Sequence, residues 1–257
     1  MDFMLEDKVA MISGGSKGIG FNIARDLAGE GCHVAISGRT QADIDEASGA
    51  IAALGRGRAL AFRGDMTQKE DCEGFFKAAV DEFGGVDILV NNVGGSDPKT
   101  LLETDDEDWA TAFDFNLHNA VRLSRFVIPE MKKRGGGSIL NIASIAGRES
   151  GSAMTYNASK AAMISFSKAL AQQVAKDNIR VNSLAPGSVL FPGGVWERRI
   201  AASPDGLKGW MESAMPFGRF GRPEEISSVA TFMVSPRASL VHGACWAVDG
   251  CQSRSNI

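Results

Sequence analysis

Short apolar runs punctuate the chain at positions 9–12, 33–36, 59–62, 86–90, 138–142, 179–183 and 244–248. They are rich in Val, Ile, Leu, Phe and Ala and are flanked by glycine or charged residues, so they read as strands. Between them, apolar positions fall at helical spacing, as over 19–27 and 72–83. Strand, helix, strand at this rhythm predicts an α/β chain: a parallel seven-stranded sheet with helices on both faces. Right-handed crossovers make such a sheet doubly wound.

The boundaries carry matching chemistry. Lys132-Lys133-Arg134 followed by Gly135-Gly136-Gly137 reads as a helix end. Cations suit the negative end of the helix dipole, and glycine tolerates a left-handed cap. Thr104 before Asp105-Asp106-Glu107-Asp108 reads as a capped helix start with acids in its first turn. One stretch breaks the rhythm. Positions 187–222 are rich in glycine, proline and large apolar residues and show no strand, which predicts a lid or binding loop on a single domain spanning 1–257.

Composition narrows the function. The 257 residues are 44% hydrophobic and 23% charged, enough to bury a sizeable core. A net charge of -4 gives no reason to expect nucleic acid or an anionic membrane as partner. Cys32, Cys72, Cys245 and Cys251 form no CxxC pair and read as free thiols. His33, His118 and His242 lack metal-ligand spacing, so no metal is expected. The first residues are acidic and then strand-like, unlike a signal peptide, and no apolar run reaches membrane-spanning length. The expectation is a cytoplasmic protein.

The first strand runs into Ser13-Gly14-Gly15-Ser16-Lys17-Gly18-Ile19-Gly20, which opens the first helix. Small residues there let backbone N–H groups approach a pyrophosphate at a helix N-terminus. Lys17 precedes Gly18, so the pattern is not a P-loop. The second strand ends Ser37-Gly38-Arg39-Thr40, with glycine where an NAD enzyme carries an acid for the ribose hydroxyls. Arg39 can clamp a 2′-phosphate, and Lys17 adds a second positive charge. The expected cofactor is NADP(H); the competing reading of Arg39 is a solvated surface charge.

The chain has 14 Phe but a single Tyr. That residue, Tyr156, stands four before Lys160, so on a helix the two share a face. A phenol ionises near ~10, and a nearby ammonium lowers that value. The pair reads as a proton-transfer device whose phenol titrates below its ordinary range, although such a pair also arises by chance on a helix, and alone that plainer reading is preferred.

Taken together in order, Gly14-x-x-x-Gly18-x-Gly20, Asn91-Asn92-Val93-Gly94, Asn116, Ser144, Tyr156-x-x-x-Lys160 and Pro186-Gly187 make the chain resemble the short-chain dehydrogenase/reductase family over essentially its whole length. Within it, the similarity is to NADP(H)-dependent 3-oxoacyl-acyl-carrier-protein reductase-like members. Two departures stand out: Val93 where alanine is usual, and Cys251 where a second glycine is common. The resemblance implies a Rossmann-type fold and a carbonyl or secondary-alcohol substrate. It implies Tyr156 as general acid or base and Lys160 lowering the Tyr156 pKa while holding the nicotinamide ribose. Ser144 would bind the substrate oxygen and Asn116 would position a relay water. It places Asp65 and Met66 at the adenine, Asn92 and Gly94 along the cofactor channel, and Val189 at the nicotinamide carboxamide, with Pro186 and Gly187 also binding the cofactor. Ser144 also reads as a turn cap, and Asn116 as a group satisfying backbone in a helix kink.

In the family, the region matching 187–222 covers the substrate. Phe191 and Trp196 are its candidate substrate contacts, which suggests an apolar or aromatic substrate. Arg148 and Glu149 could add polar contacts at the pocket mouth. Family habit implies a homotetramer or homodimer, through the helices carrying Asn116 and Tyr156 and the last strand. The alternatives are an NAD-dependent alcohol dehydrogenase and a non-catalytic NADP(H)-binding sensor on the same fold.

Overall fold

The computed structural model describes residues 2–256. Seven parallel strands form one sheet in the order β3-β2-β1-β4-β5-β6-β7. They are β1 (Val9–Ser13), β2 (His33–Gly38), β3 (Ala59–Arg63), β4 (Ile88–Asn91), β5 (Gly137–Ile142), β6 (Ile179–Pro186) and β7 (Cys245–Val248). Every expected strand is present. Pairing keeps a strict register, with Ala10 opposite Val34 on one side and Ile88 on the other.

Successive side chains of a strand point to opposite faces, and β1 divides its residues accordingly. Ala10 and Ile12 pack with Ile23 and Leu27 of α1 (Gly18–Gly29), Ile51 of α2 (Gln41–Ala52) and Ile226 of α9 (Pro223–Val234). Met11 packs on the other face with Phe75 of α3 (Lys69–Phe83), Leu123 of α5 (Asn119–Lys133) and Leu170 of α6 (Met154–Val174). Both faces are covered, which is why the strands read as continuous apolar runs rather than alternating ones.

One boundary expectation is refined and another holds. Helix α4 (Asp106–Phe113) starts one residue later than anticipated. Asp105, not Thr104, is its N-cap, accepting from the Asp108 amide while the Asp108 carboxylate accepts from the Asp105 amide. Thr104 instead accepts from the Trp109 indole. At the end of α5, Gly135 takes φ +81°, as expected of a glycine stop. The neighbouring cations pair locally: Lys132 with Asp177, Lys133 with Glu130, Arg134 with Asp87. The segment 187–222 has no strand, but two helices interrupt it, α7 (Val195–Ala202) and α8 (Pro204–Ala214). Trp196 and Trp210 stack with ring centroids 4.6 Å apart, and Phe220 packs beside both.

The strand order reverses direction at β1. Its neighbours are β2, next in sequence, and β4. The carboxyl ends of β1 and β4 diverge there into a crevice, the usual place for a ligand in an open parallel sheet.

Candidate active site

The crevice opens into a cleft of about 1270 Å³ running from the α1 amino end to α7 and α8. At its first end, the glycine turn is set by close approach. Gly14 and Gly18 take φ +64° and +57°, and a Cβ on Gly20 would stand 2.3 Å from the Gly14 carbonyl oxygen. The Asn92 amide donates to that same carbonyl at 2.9 Å, and its backbone N–H donates to Ser13 Oγ. The turn thus hangs from both β1 and the β4 exit. The N-cap residue Lys17 gives α1 no side-chain cap, and no acid stands in the first turn. Free N–H groups and the positive end of the helix dipole therefore face the crevice, which fits a pyrophosphate.

At the end of β2, Gly38 has no room for a side chain. A Cβ there would lie 2.4 Å from Ile44 Cγ2 and 3.1 Å from Ser16 Oγ. The absence of an acid at this position is enforced by packing. Arg39 is exposed, lines the cleft and has no ion pair among the described residues. Lys17 also lines the cleft, but its ammonium pairs with Asp43 at 2.8 Å.

At the catalytic end, Tyr156 and Lys160 share the inner face of α6 as their spacing requires. Lys160 is 2% exposed, and its Nζ donates to the Ile142 carbonyl at 2.8 Å. Burial pulls its pKa down to about 7. The Tyr156 phenol is pushed above its ordinary value by burial, partly offset by a hydrogen bond with Ser144. This reverses the sequence-based expectation of a lowered phenol. Lys160 Nζ lies 5.7 Å from the Tyr156 ring centroid and spends its hydrogen bond on β5.

Ser144 does cap a turn, since its Oγ accepts from the Ala146 amide. The same hydroxyl is hydrogen-bonded to the Tyr156 phenol, so the two oxygens face the cleft side by side. Asn116 is buried in a π-helical turn, Asp114–His118, between α4 and α5. Its amide donates to Ala112 and Gly95 carbonyls and accepts from the Gly95 N–H. The backbone-satisfying reading of Asn116 is met in the kinked turn, and the residue also lines the cleft.

The cleft gathers Ile19, Asn92, Gly94, Pro186, Gly187, Val189, Phe191 and Trp196 with these groups. Phe191 sits nearer the glycine turn than a pure substrate contact would; a Cβ on Gly18 would touch its ring at 2.6 Å. Asp65 and Met66 do not line the cleft. Asp65 accepts from Thr67 N and Oγ1, and Met66 is 2% exposed in the core. Arg148 turns away to donate to the Cys245 carbonyl, whereas Glu149 lines the cleft and accepts from the Arg254 and Ser255 amides. The sequence reading missed three positions. Asn157 donates to the Ala146 and Glu149 carbonyls, fixing the segment after Ser144 onto α6. Gln252 and Arg254 bring the C-terminal tail into the cleft lining. No local pattern marks them; only the β6–β7 pairing brings them there.

Residues 14–251 match the family model described as enoyl-(acyl carrier protein) reductase. The chain is 35% identical over 247 residues to the 3-oxoacyl-acyl-carrier-protein reductase FabG of Vibrio cholerae, covering 96% of this chain and 97% of that one. It superimposes with TM-score 0.94 at 35% identity on an L-sorbose reductase from Gluconobacter frateurii complexed with NADPH and L-sorbose, covering 99% and 100% of the two chains. A 7α-hydroxysteroid dehydrogenase complexed with NADH and a 7-oxo bile acid gives TM-score 0.91 at 34% identity, covering 99% and 98%.

Proposed function

The chain belongs to the short-chain dehydrogenase/reductase family, and from that premise we propose that it is an NADP(H)-dependent oxidoreductase interconverting a carbonyl and a secondary alcohol. The observation that carries this is one cleft shared by the uncapped α1 amino end and the Ser144, Tyr156 and Lys160 side chains. Bound there, the nicotinamide dinucleotide supplies or accepts the hydride.

The chain's own groups have separable tasks. The α1 amino end holds the pyrophosphate. Arg39 holds the 2′-phosphate, and the crowded Gly38 keeps an acid from competing for it. Ser144 donates its hydroxyl to the substrate oxygen. Tyr156 gives that oxygen a proton in reduction and takes it back in oxidation. Lys160, poised near neutrality, restores the phenol through a water that Asn116 positions. Phe115, Ile145, Trp196 and Trp210 line the same cleft and favour a substrate with an apolar or aromatic body. The 187–222 segment acts as its lid. A homotetramer or homodimer in the cytoplasm completes the reading; no helix among the described residues is long and apolar enough to cross a membrane.

The test is a turnover panel of ketones and secondary alcohols with NADPH/NADP⁺ and NADH/NAD⁺, alongside dinucleotide Kd values for wild type and Arg39→Gln. The expected result is turnover with tighter NADPH than NADH, the preference shrinking about tenfold or more in the variant. Equal or tighter NADH binding by the wild type removes the NADP(H) assignment, and no turnover with any carbonyl class removes the activity.

A further inference from the structure

The β6 exit turn forms the cleft wall at 187–189, yet little of its own segment holds it. Gly187 donates to the Val248 carbonyl, and Val189 forms an isolated bridge with Gly221. Ser188, between them, is buried; its carbonyl accepts from the Gly221 N–H at 2.9 Å, but its own N–H and its hydroxyl both depend on a residue 64 positions away. Gln252 Oε1 accepts from the Ser188 N–H at 2.7 Å, and Gln252 Nε2 donates to Ser188 Oγ at 3.0 Å. The approach leaves no slack, since a Cβ on Gly187 would stand 2.7 Å from Gln252 Oε1.

Gln252 is itself immobilised. Upstream, the Asp249 carboxylate accepts from the Cys251 and Ser253 amides. Downstream, the Glu149 carboxylate accepts from the Arg254 and Ser255 amides. Glu149 lies just beyond Ser144 and lines the same cleft. The tail therefore spans from the β6 exit to the β5 exit, with Gln252 at its centre.

We infer that Gln252 is a positioning residue for the dinucleotide: through its paired hydrogen bonds to Ser188 it fixes the 187–189 turn against which the nicotinamide end rests. The inference builds on the dinucleotide-binding reading above. Without Gln252, the Ser188 N–H loses its hydrogen-bond acceptor while buried, and the turn must move to find another.

The experiment compares Gln252→Leu, which removes both bonds, with Gln252→Glu, which keeps an acceptor for the Ser188 N–H and can accept from its hydroxyl. Three quantities are read: the Ser188 amide exchange rate in the free protein, the NADPH Kd by fluorescence, and kcat against carbonyl KM. In Gln252→Leu, the Ser188 amide exchanges faster, NADPH Kd rises about tenfold and kcat falls about tenfold, while carbonyl KM changes little. Gln252→Glu recovers most of each. A lowered Tm with NADPH Kd and kcat unchanged makes Gln252 merely structural and overturns the inference, as does an unchanged Ser188 amide. Absence of dinucleotide binding by the wild type overturns the function itself. Wild-type binding matched by the leucine variant overturns only the role of Gln252.

Discussion

Gly94 lies so close to Lys160 that a Cβ on the glycine would stand 2.9 Å from Nζ and 2.7 Å from Asn116 Oδ1. The β4 exit, the π-helical turn and α6 meet at this one point, and only a residue without a side chain lets them. Gly94→Ala must push either the ammonium off the Ile142 carbonyl or the Asn116 amide off Gly95. We expect a stability loss of about 1–3 kcal/mol and a kcat loss of about tenfold or more. Denaturant unfolding and steady-state kinetics check the pair; full activity would show that the contact relaxes freely.

Lys160 makes stability depend on pH in a definite direction. Its folded pKa of about 7 lies below its ordinary 10.5. Between those values the unfolded chain binds a proton that the folded chain has shed, so this group makes stability rise with pH, by up to ~1.4 kcal/mol per unit. Below about 7 both states are protonated, and the folded state carries the full cost of a buried ammonium. Lys160→Met should therefore gain most over wild type at and below neutrality, with the gap closing toward alkaline pH. Urea unfolding of both proteins from pH 6 to 10 (values about the folded pKa) measures it; parallel curves would contradict the burial argument.

The single tyrosine permits a direct titration. Burial should put the tyrosinate midpoint of the protein alone above ~10. Because the Ser144 hydrogen bond favours the phenolate, Ser144→Ala should move the midpoint further up. Absorbance at the tyrosinate band reports Tyr156 without interference from another phenol.

Dinucleotide choice should resist the simplest redesign. Gly38→Asp places a Cβ 2.4 Å from Ile44 Cγ2, so it should cost about 1–3 kcal/mol of stability and fail to raise NADH affinity. Adding Ile44→Ala opens that space and should restore folding and allow NADH to bind better. Thermal melts and Kd values for both dinucleotides distinguish the single from the double variant.

The Trp196–Trp210 stack holds α7 to α8 outside the main core. Each aromatic pair contributes about 0.5–1.5 kcal/mol. Trp210→Ala should loosen these helices, raising substrate KM about three- to tenfold, with the global Tm shifting only a few degrees (about 3 °C). Faster amide exchange confined to 195–214 would locate the effect.

Local patterns carried much of this molecule. The five inner strands read as continuous apolar runs because burial on both sheet faces leaves them no alternative, while the edge strands β3 and β7 are only partly buried. The glycine turn was legible because only glycine tolerates positive φ at Gly14 and Gly18. Cys251 shows the limit of that logic, holding φ +65° without being glycine. In the 187–222 segment, glycine and proline punctuation hides two short helices, α7 and α8, that the tryptophan stack holds together.

Spacing along the chain placed Tyr156 and Lys160 on one helical face, since that follows from helix geometry alone. What their protons do was decided by tertiary structure. Lys160 is desolvated by neighbours far away in sequence and bonded to the Ile142 carbonyl of β5, and burial of Tyr156 pushes its phenol up, opposite to the local expectation of a lowered phenol. Gly38 is denied a side chain by α2, and Ser188 is held by Gln252 across 64 residues. Periodicity and chemistry are local and can be read along the chain; dielectric surroundings and close contacts arise only when strands distant in the chain are brought side by side.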